Sequence, residues 1–189
     1  EGDVLEIGTP AAGLRCYVAV SGGVDVPPEL GSRSTDLLSG IGPAPLQRDD
    51  VLPLGTPTGL PIGVDGLPPT RVESELVVPV LLGPRDDWFR DPAAQLTAGS
   101  WRVSDDSNRV GMRLDGTALE RTEAFKGEEL PSEGMVTGSV QVPASGQPVV
   151  FLADHPTTGG YPVIGVVPAR ALPSLAQARP GTPVLFRVC

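Results

Sequence analysis

The sequence has a single histidine, His155, and a single lysine, Lys126. One imidazole excludes zinc sites built on two or three histidines and confines any Ser-His-Asp triad to His155. One lysine leaves one candidate for Schiff-base chemistry, in a charged stretch that reads as solvated. The two cysteines, Cys16 and Cys189, suggest neither a disulfide framework nor a metal site and fit reduced thiols in a cytoplasmic protein. No apolar run approaches the roughly 20 residues of a membrane-spanning helix. The opening Glu1, Gly2 and Asp3 are no signal peptide, and without an initiator Met the chain reads as a fragment of a longer protein. GxGxxG, Walker A, CxxC and GxSxG motifs are missing. Positive charge is scarce: 14 Lys and Arg face 23 Asp and Glu, for a net charge of −9. Such a surface repels phosphate backbones, so nucleic acid is not an expected partner.

Turn-formers, by contrast, abound. The 189 residues include 24 glycines and 22 prolines, which excludes a helical bundle because both residues destabilise helix interiors. Hydrophobic residues still make up 40%, and valine-rich runs recur between the breakers, the pattern of short strands joined by tight turns. Strands are predicted over residues 4–8 and 14–20, as a hairpin, and then over 75–83, 101–103, 112–114, 136–142, 148–153, 161–167 and 183–188. Pro79 inside the third of these argues for a sheet edge or a bulge. Residues 86–96 hold the first expected helix, with Asp91 and Pro92 as cap and first turn. Residues 168–177 hold a second, interrupted at Pro173. The string DVLPLG at 50–55 echoes GDVLEIG at 2–8, as a strand used twice in a repeated barrel would. Residues 58–71 read as a Pro/Gly-rich linker. Strands at this spacing with two brief helices predict a closed or nearly closed β-barrel.

Several polar segments can carry chemistry. Arg33 and Ser34, in the string GSRSTD, either hold an anion with glycine-enabled backbone or make a local turn in which Asp36 caps a helix from Leu37. Ser107, Asn108, Arg109 and Arg113 form a second group. On a strand, Arg109 and Arg113 share a face and make a carboxylate or phosphate site; the alternative is that each pairs with Asp105, Asp106 or Asp115. A third runs from Asp154 and His155 through Thr157, Thr158, Gly159, Gly160 and Tyr161. There His155 is either a general base with Asp154 beside it or a structural loop residue, and the glycine amides offer an oxyanion site. Glu133 is either a catalytic carboxylate or a solvated acid beside Glu128 and Glu129. Gln141, within an apolar strand, must find hydrogen bonds if buried. No metal site is expected.

The longer strings YVAVSGGVDVPPELGSRSTDL from Tyr17, SNRVGMRLDG from Ser107, SEGMVTGSVQVPASGQP from Ser132 and LADHPTTGGYPVIGVV from Leu152 resemble, in order and spacing, the allophanate hydrolase subunit 2 or KipA-like family. The chain is also similar to carboxyltransferase subdomains A and B of urea carboxylase. The resemblance implies a mainly β, cyclophilin-like barrel over residues 72–189, with residues 1–57 as the C-terminal strands of a preceding similar barrel. The family's N-terminal region with its TxQDxGRxGY-type motif has no counterpart here. The family usually has Met at the Val110 position and Arg or Lys near His155, which weakens His155 as an essential base.

Free-standing members of this family resemble a subunit of ATP-dependent 5-oxoprolinase, acting with KipI-like and LamB/YcsF-like subunits. The resemblance implies a cytoplasmic subunit acting on an amide or lactam, with ATP shared among the subunits. Arg33, Ser34, Ser107, Asn108, Arg109, Arg113, Gln141 and residues 157–161 are then candidate substrate or nucleotide contacts, and Arg109, Glu133, Asp154 and His155 candidate catalytic groups. Two other functions are open: a carboxyltransferase half that receives its carboxyl group from biotin, and a regulatory antagonist of a KipI-type kinase inhibitor.

Overall fold

The apolar runs that come after residue 72 become strands because each offers branched side chains at alternate positions and ends in a turn-former. In the computed structural model, which describes residues 2–59 and 73–189, they are β1 (Leu76–Leu82), β2 (Trp101–Val103), β3 (Gly111–Gly116), β4 (Glu133–Gly134), β5 (Ser139–Gln141), β6 (Val149–Phe151), β7 (Thr158–Gly159), β8 (Val163–Val166) and β9 (Pro183–Val188). Seven close into a barrel in the order β1-β8-β5-β6-β3-β2-β9, sealed by the parallel pairing of β1 with β9. β4 and β7 pair with each other as a separate two-stranded ribbon. Two short helices, α1 (Pro92–Ala98) and α2 (Leu172–Ala176), complete the expected mainly β architecture.

Alternation decides which side chains fill the barrel. Val78 and Val80 point inward while Val77 and Leu81 are exposed. Leu114, Val140, Val150, Ile164 and Val184 join them in one core cluster, each contributing about 1.5–3 kcal/mol through burial. Leu96 of α1 belongs to the same core. Asp91 starts that helix as expected: its carboxylate accepts from the Ala94 N–H at 3.1 Å, with Pro92 in the first turn.

Pro79 is tolerated inside a closed barrel for a local reason. Leu76–Val80 pair with β9, but only Leu81 and Leu82 pair with β8, so at Pro79 the strand is paired on one side and the missing N–H breaks no second ladder. The second helix differs from expectation. Pro173 does not interrupt it but lies in its first turn, after a 3-10 turn at Ala169–Ala171, where a proline N–H would have had no partner in any case.

Contacts divide the chain into two compact units, Cys16–Thr70 and Glu1–Arg15 with Arg71–Cys189. The strands predicted over 4–8 and 14–20 are not formed, nor is one at 50–55. An extended segment becomes a strand only when a neighbour takes up its N–H and C=O groups, and among the described residues of 2–59 only isolated bridges occur, such as Val24 with Leu54. Residues 10–15 are instead held by side chains. Gln177 accepts from the Leu14 and Arg15 N–H groups at 2.9 Å each, and Arg179 donates to the Gly13 and Pro10 carbonyls. Most of the predicted linker, from residue 60 onward, lies outside the described residues. Neither cysteine is in a disulfide. Among the described residues no helix is long and apolar enough to cross a membrane.

Candidate functional site

The barrel has a second buried apolar surface, on its outside. Met135, Val149, Phe151 and Val163 form a cluster separate from the core. Val149 and Phe151 must face outward because Val150 between them fills the barrel. The ribbon of β4 and β7 leads into this cluster through Met135, whose N–H donates to the Thr157 carbonyl at 2.9 Å.

Strand register sets a row across this outer face. Arg113 pairs with Val149, Val149 with Gln141, and Gln141 with Val163. The register slips between Val140 and Gln141, where β8 passes from Gly165 to Val163. Such a bulge re-aims a side chain and is frequent beside functional sites. Gln141 is buried, only 7% exposed, and its Nε2 donates to the Tyr161 carbonyl at 3.3 Å. Gly159 makes room for it: a Cβ there would stand 2.6 Å from Gln141 Nε2. Arg113 is exposed, and its guanidinium has no partner among the described residues.

The ribbon is fastened at two places. Arg85 grips Glu133 along one guanidinium edge, Nε to Oε2 at 3.1 Å and Nη2 to Oε1. These hydrogen bonds hold the Glu133 carboxyl below its ordinary range and raise the Arg85 guanidinium further. Glu133 is thus bound neither to solvent alone nor to Glu128 and Glu129. Farther along, His155 Nδ1 lies 2.8 Å from the Pro156 carbonyl and Nε2 lies 3.0 Å from Thr137 Oγ1. A carbonyl only accepts, so Nδ1 carries the proton and Nε2 accepts from the Thr137 hydroxyl. The ring also stacks on Phe151, centroids 6.2 Å apart.

Asp154 does not meet His155. Its carboxylate pairs with Arg109 at 3.0 Å, and its N–H donates to the Arg109 carbonyl. The two arginines are separated in role by the turn between them. Asn108 Oδ1 accepts from the Val110 and Gly111 N–H groups, so Arg109 lies in a turn while Arg113 lies on β3. Ser107 Oγ accepts from the Arg113 N–H at 3.0 Å and donates to its carbonyl, bracing the strand that carries Arg113. Asp105, Asp106 and Asp115 give neither arginine an ion pair.

Thr158 and Gly159 form β7, with Gly159 opposite Glu133 and Thr158 opposite Gly134. Gly160 and half-exposed Tyr161 line a cleft of about 1040 Å³, together with Arg121, Lys126, Leu130 and Pro143. In the Cys16–Thr70 unit, Arg33 bonds the Val26 carbonyl at 2.7 Å and Asp25 at 3.1 Å, while the Ser34 N–H donates to Ser32 Oγ. Asp36 caps no helix; its carboxylate accepts from the Leu38 N–H and Ser39 hydroxyl in a tight turn. The Ser39 bond, with the Leu38 N–H second, keeps that carboxyl below its usual range.

Arg85 was invisible as a functional residue in the sequence. It is 48 positions from Glu133 and reaches it only because its own N–H hangs on the Val163 carbonyl at the start of β8. The one available signal was its place directly after the first long apolar run.

Known proteins resemble this chain in sequence and in fold. Residues 1–188 match the family described as carboxyltransferase domain, subdomain A and B. A 5-oxoprolinase subunit of Escherichia coli is 39% identical over 100% of this chain and 60% of its own length. The corresponding 5-oxoprolinase subunit of Haemophilus influenzae is 33% identical over 98% of this chain and 59% of its own. The crystal structure of Kluyveromyces lactis urea carboxylase superposes with a TM-score of 0.76 at 26% identity, over 93% of this chain and 18% of that one. The chain therefore spans about 60% of the length of the 5-oxoprolinase subunits it matches.

Proposed function

Because the chain belongs to the family of carboxyltransferase subdomains A and B, we propose that it serves as a subunit of an ATP-dependent hydrolase that opens 5-oxoproline to glutamate, in the cytoplasm, with KipI-like and LamB/YcsF-like subunits. The observation that carries this reading is the 39% identity, over the whole chain, to a 5-oxoprolinase subunit.

A lactam carbonyl is a poor electrophile because nitrogen donates into it. ATP supplies the activation in such a reaction by phosphorylating the amide oxygen. Among the described residues Arg33 pairs with Asp25 and Arg109 with Asp154, both pairs open to solvent. ATP dependence is proposed for the assembled complex, in which Arg109 is a candidate contact. The chain itself offers substrate binding. Arg113 is a free cation on the outer face, suited to a ring carboxylate. The Arg85–Glu133 pair and the His155–Thr137 bond hold the ribbon that borders it.

A second reading, transfer of a carboxyl group from carboxybiotin to an amide nitrogen, is favoured by the family match and by the likeness to urea carboxylase. Urea and 5-oxoproline share a feature: each carries an N–H on the same side of the C–N bond as the carbonyl oxygen. Leaving out one subunit at a time from the reconstituted complex tests the first reading. Glutamate release from 5-oxoproline is expected to vanish without this protein; release that persists contradicts it.

A further inference from the structure

Gln141 is a buried side chain with an unfinished set of hydrogen bonds. A primary carboxamide has two N–H donors and an acceptor oxygen. One N–H goes to the Tyr161 carbonyl. The oxygen accepts nothing among the described residues, and it is not among the buried polar atoms cut off from solvent. The side chain is only 7% exposed, yet it keeps an acceptor open to solvent, the place a ligand N–H can take. The register slip at Gln141 aims it at the outer face, and Gly159 leaves the space it occupies.

We infer that Gln141 reads the amide edge of the substrate, an assignment that rests on the lactam-opening reading above. In a lactam the ring forces N–H and C=O onto one edge. A carboxamide presents the complementary pair, so Oε1 accepts the lactam N–H while the remaining Nε2 hydrogen donates to the lactam oxygen. An ordinary trans peptide puts those two groups on opposite sides and cannot make both bonds. Position also fits. Arg113 and Gln141 lie on one face, two strands apart with Val149 between them, about 10 Å at roughly 4.8 Å per strand. Val149 between them is buried with Met135, Phe151 and Val163, so the ring would lie over that cluster, with its carboxylate toward Arg113. The site thereby selects a cyclic amide bearing an anionic group over peptides and uncharged lactams.

The test uses the full-length protein in the complete complex. The probes are 5-oxoproline and 3-oxocyclopentane-1-carboxylate, in which CH₂ replaces the ring N–H. The wild-type complex is expected to bind the carbocycle roughly tenfold more weakly than the lactam, the worth of one neutral hydrogen bond. Gln141→Met is expected to raise KM for 5-oxoproline roughly tenfold or more and to bring the two ligands level. Gln141→Glu keeps the acceptor and loses the donor, so KM rises while the preference for the lactam persists. An active wild-type complex whose two variants, folded by thermal melting, keep wild-type KM and discrimination overturns the role of Gln141. A wild-type complex that releases no glutamate and binds neither probe overturns the oxoprolinase reading itself, and this inference with it.

Discussion

Val149 and Val150 are adjacent on β6 and bury against different things, which makes them a direct test of the two-layer arrangement. Val150 is wholly inside the barrel core, and Val149 lies under the ribbon cluster. Truncation to Ala removes two methyl groups, worth about 1.6 kcal/mol at ~0.8 kcal/mol per buried carbon. In a closed barrel the walls cannot follow, so a residual void of roughly 40 Å³ adds about 1 kcal/mol at ~24 cal/mol per Å³. Val150→Ala should then cost about 2.5 kcal/mol. A two-stranded ribbon can settle onto the smaller side chain, so Val149→Ala should cost the transfer part alone, about 1.6 kcal/mol. Urea unfolding at constant slope measures both, and hydrogen exchange at Met135 should quicken in Val149→Ala alone. Equal costs, or a larger cost at Val149, would refute the assignment of these neighbours to a rigid interior and a yielding outer layer.

Three further outcomes are expected. The Arg85 bonds lower the Glu133 carboxyl, so the latch is fully made above the ordinary carboxylate value of about 4.3 and is lost only as pH falls through the lowered native one; protection of the Met135 amide should hold flat above that ordinary value and drop below it, and Glu133→Gln should remove the drop. Arg109→Ala releases Asp154 and the turn that leads to His155, and should lose ATP-dependent turnover in the complex while the barrel stays folded, since an ion pair this exposed is worth at most about 1 kcal/mol; unchanged turnover removes Arg109 from the site. Gly159→Ala places a methyl against Gln141 Nε2 and Met135 Sδ, and should weaken 5-oxoproline binding, measured by titration of the complex, with little change in melting temperature.

The barrel was legible because its strands announce themselves locally. Val78, Val80, Val150 and Ile164 sit in short apolar runs bounded by Gly or Pro, and Asp91 with Pro92 marks a helix start that needs no tertiary information. The ribbon was not legible. Its strands are the dipeptides Glu133–Gly134 and Thr158–Gly159, too short for any period, and they pair only because the barrel's outer face is there to cover. The strands expected over 4–8 and 14–20 failed on the opposite count: the apolar pattern is present, but no described strand pairs with them, and Gln177 takes up the Leu14 and Arg15 N–H groups instead. At the site, residue type pointed to Gln141 and Glu133, and the strings around them carried the family. Their partners, Tyr161 and Arg85, depend on strand register and chain closure, which composition does not encode.

The most direct test of the account measures two products from one reaction mixture. The complete complex is given 5-oxoproline, ATP and labelled bicarbonate, with this protein present or withheld. Glutamate is expected in step with ATP consumption, both dependent on this protein, with no label fixed in an organic product. Label in a carboxylated amide, with no glutamate, would contradict it and establish the carboxyltransferase reading.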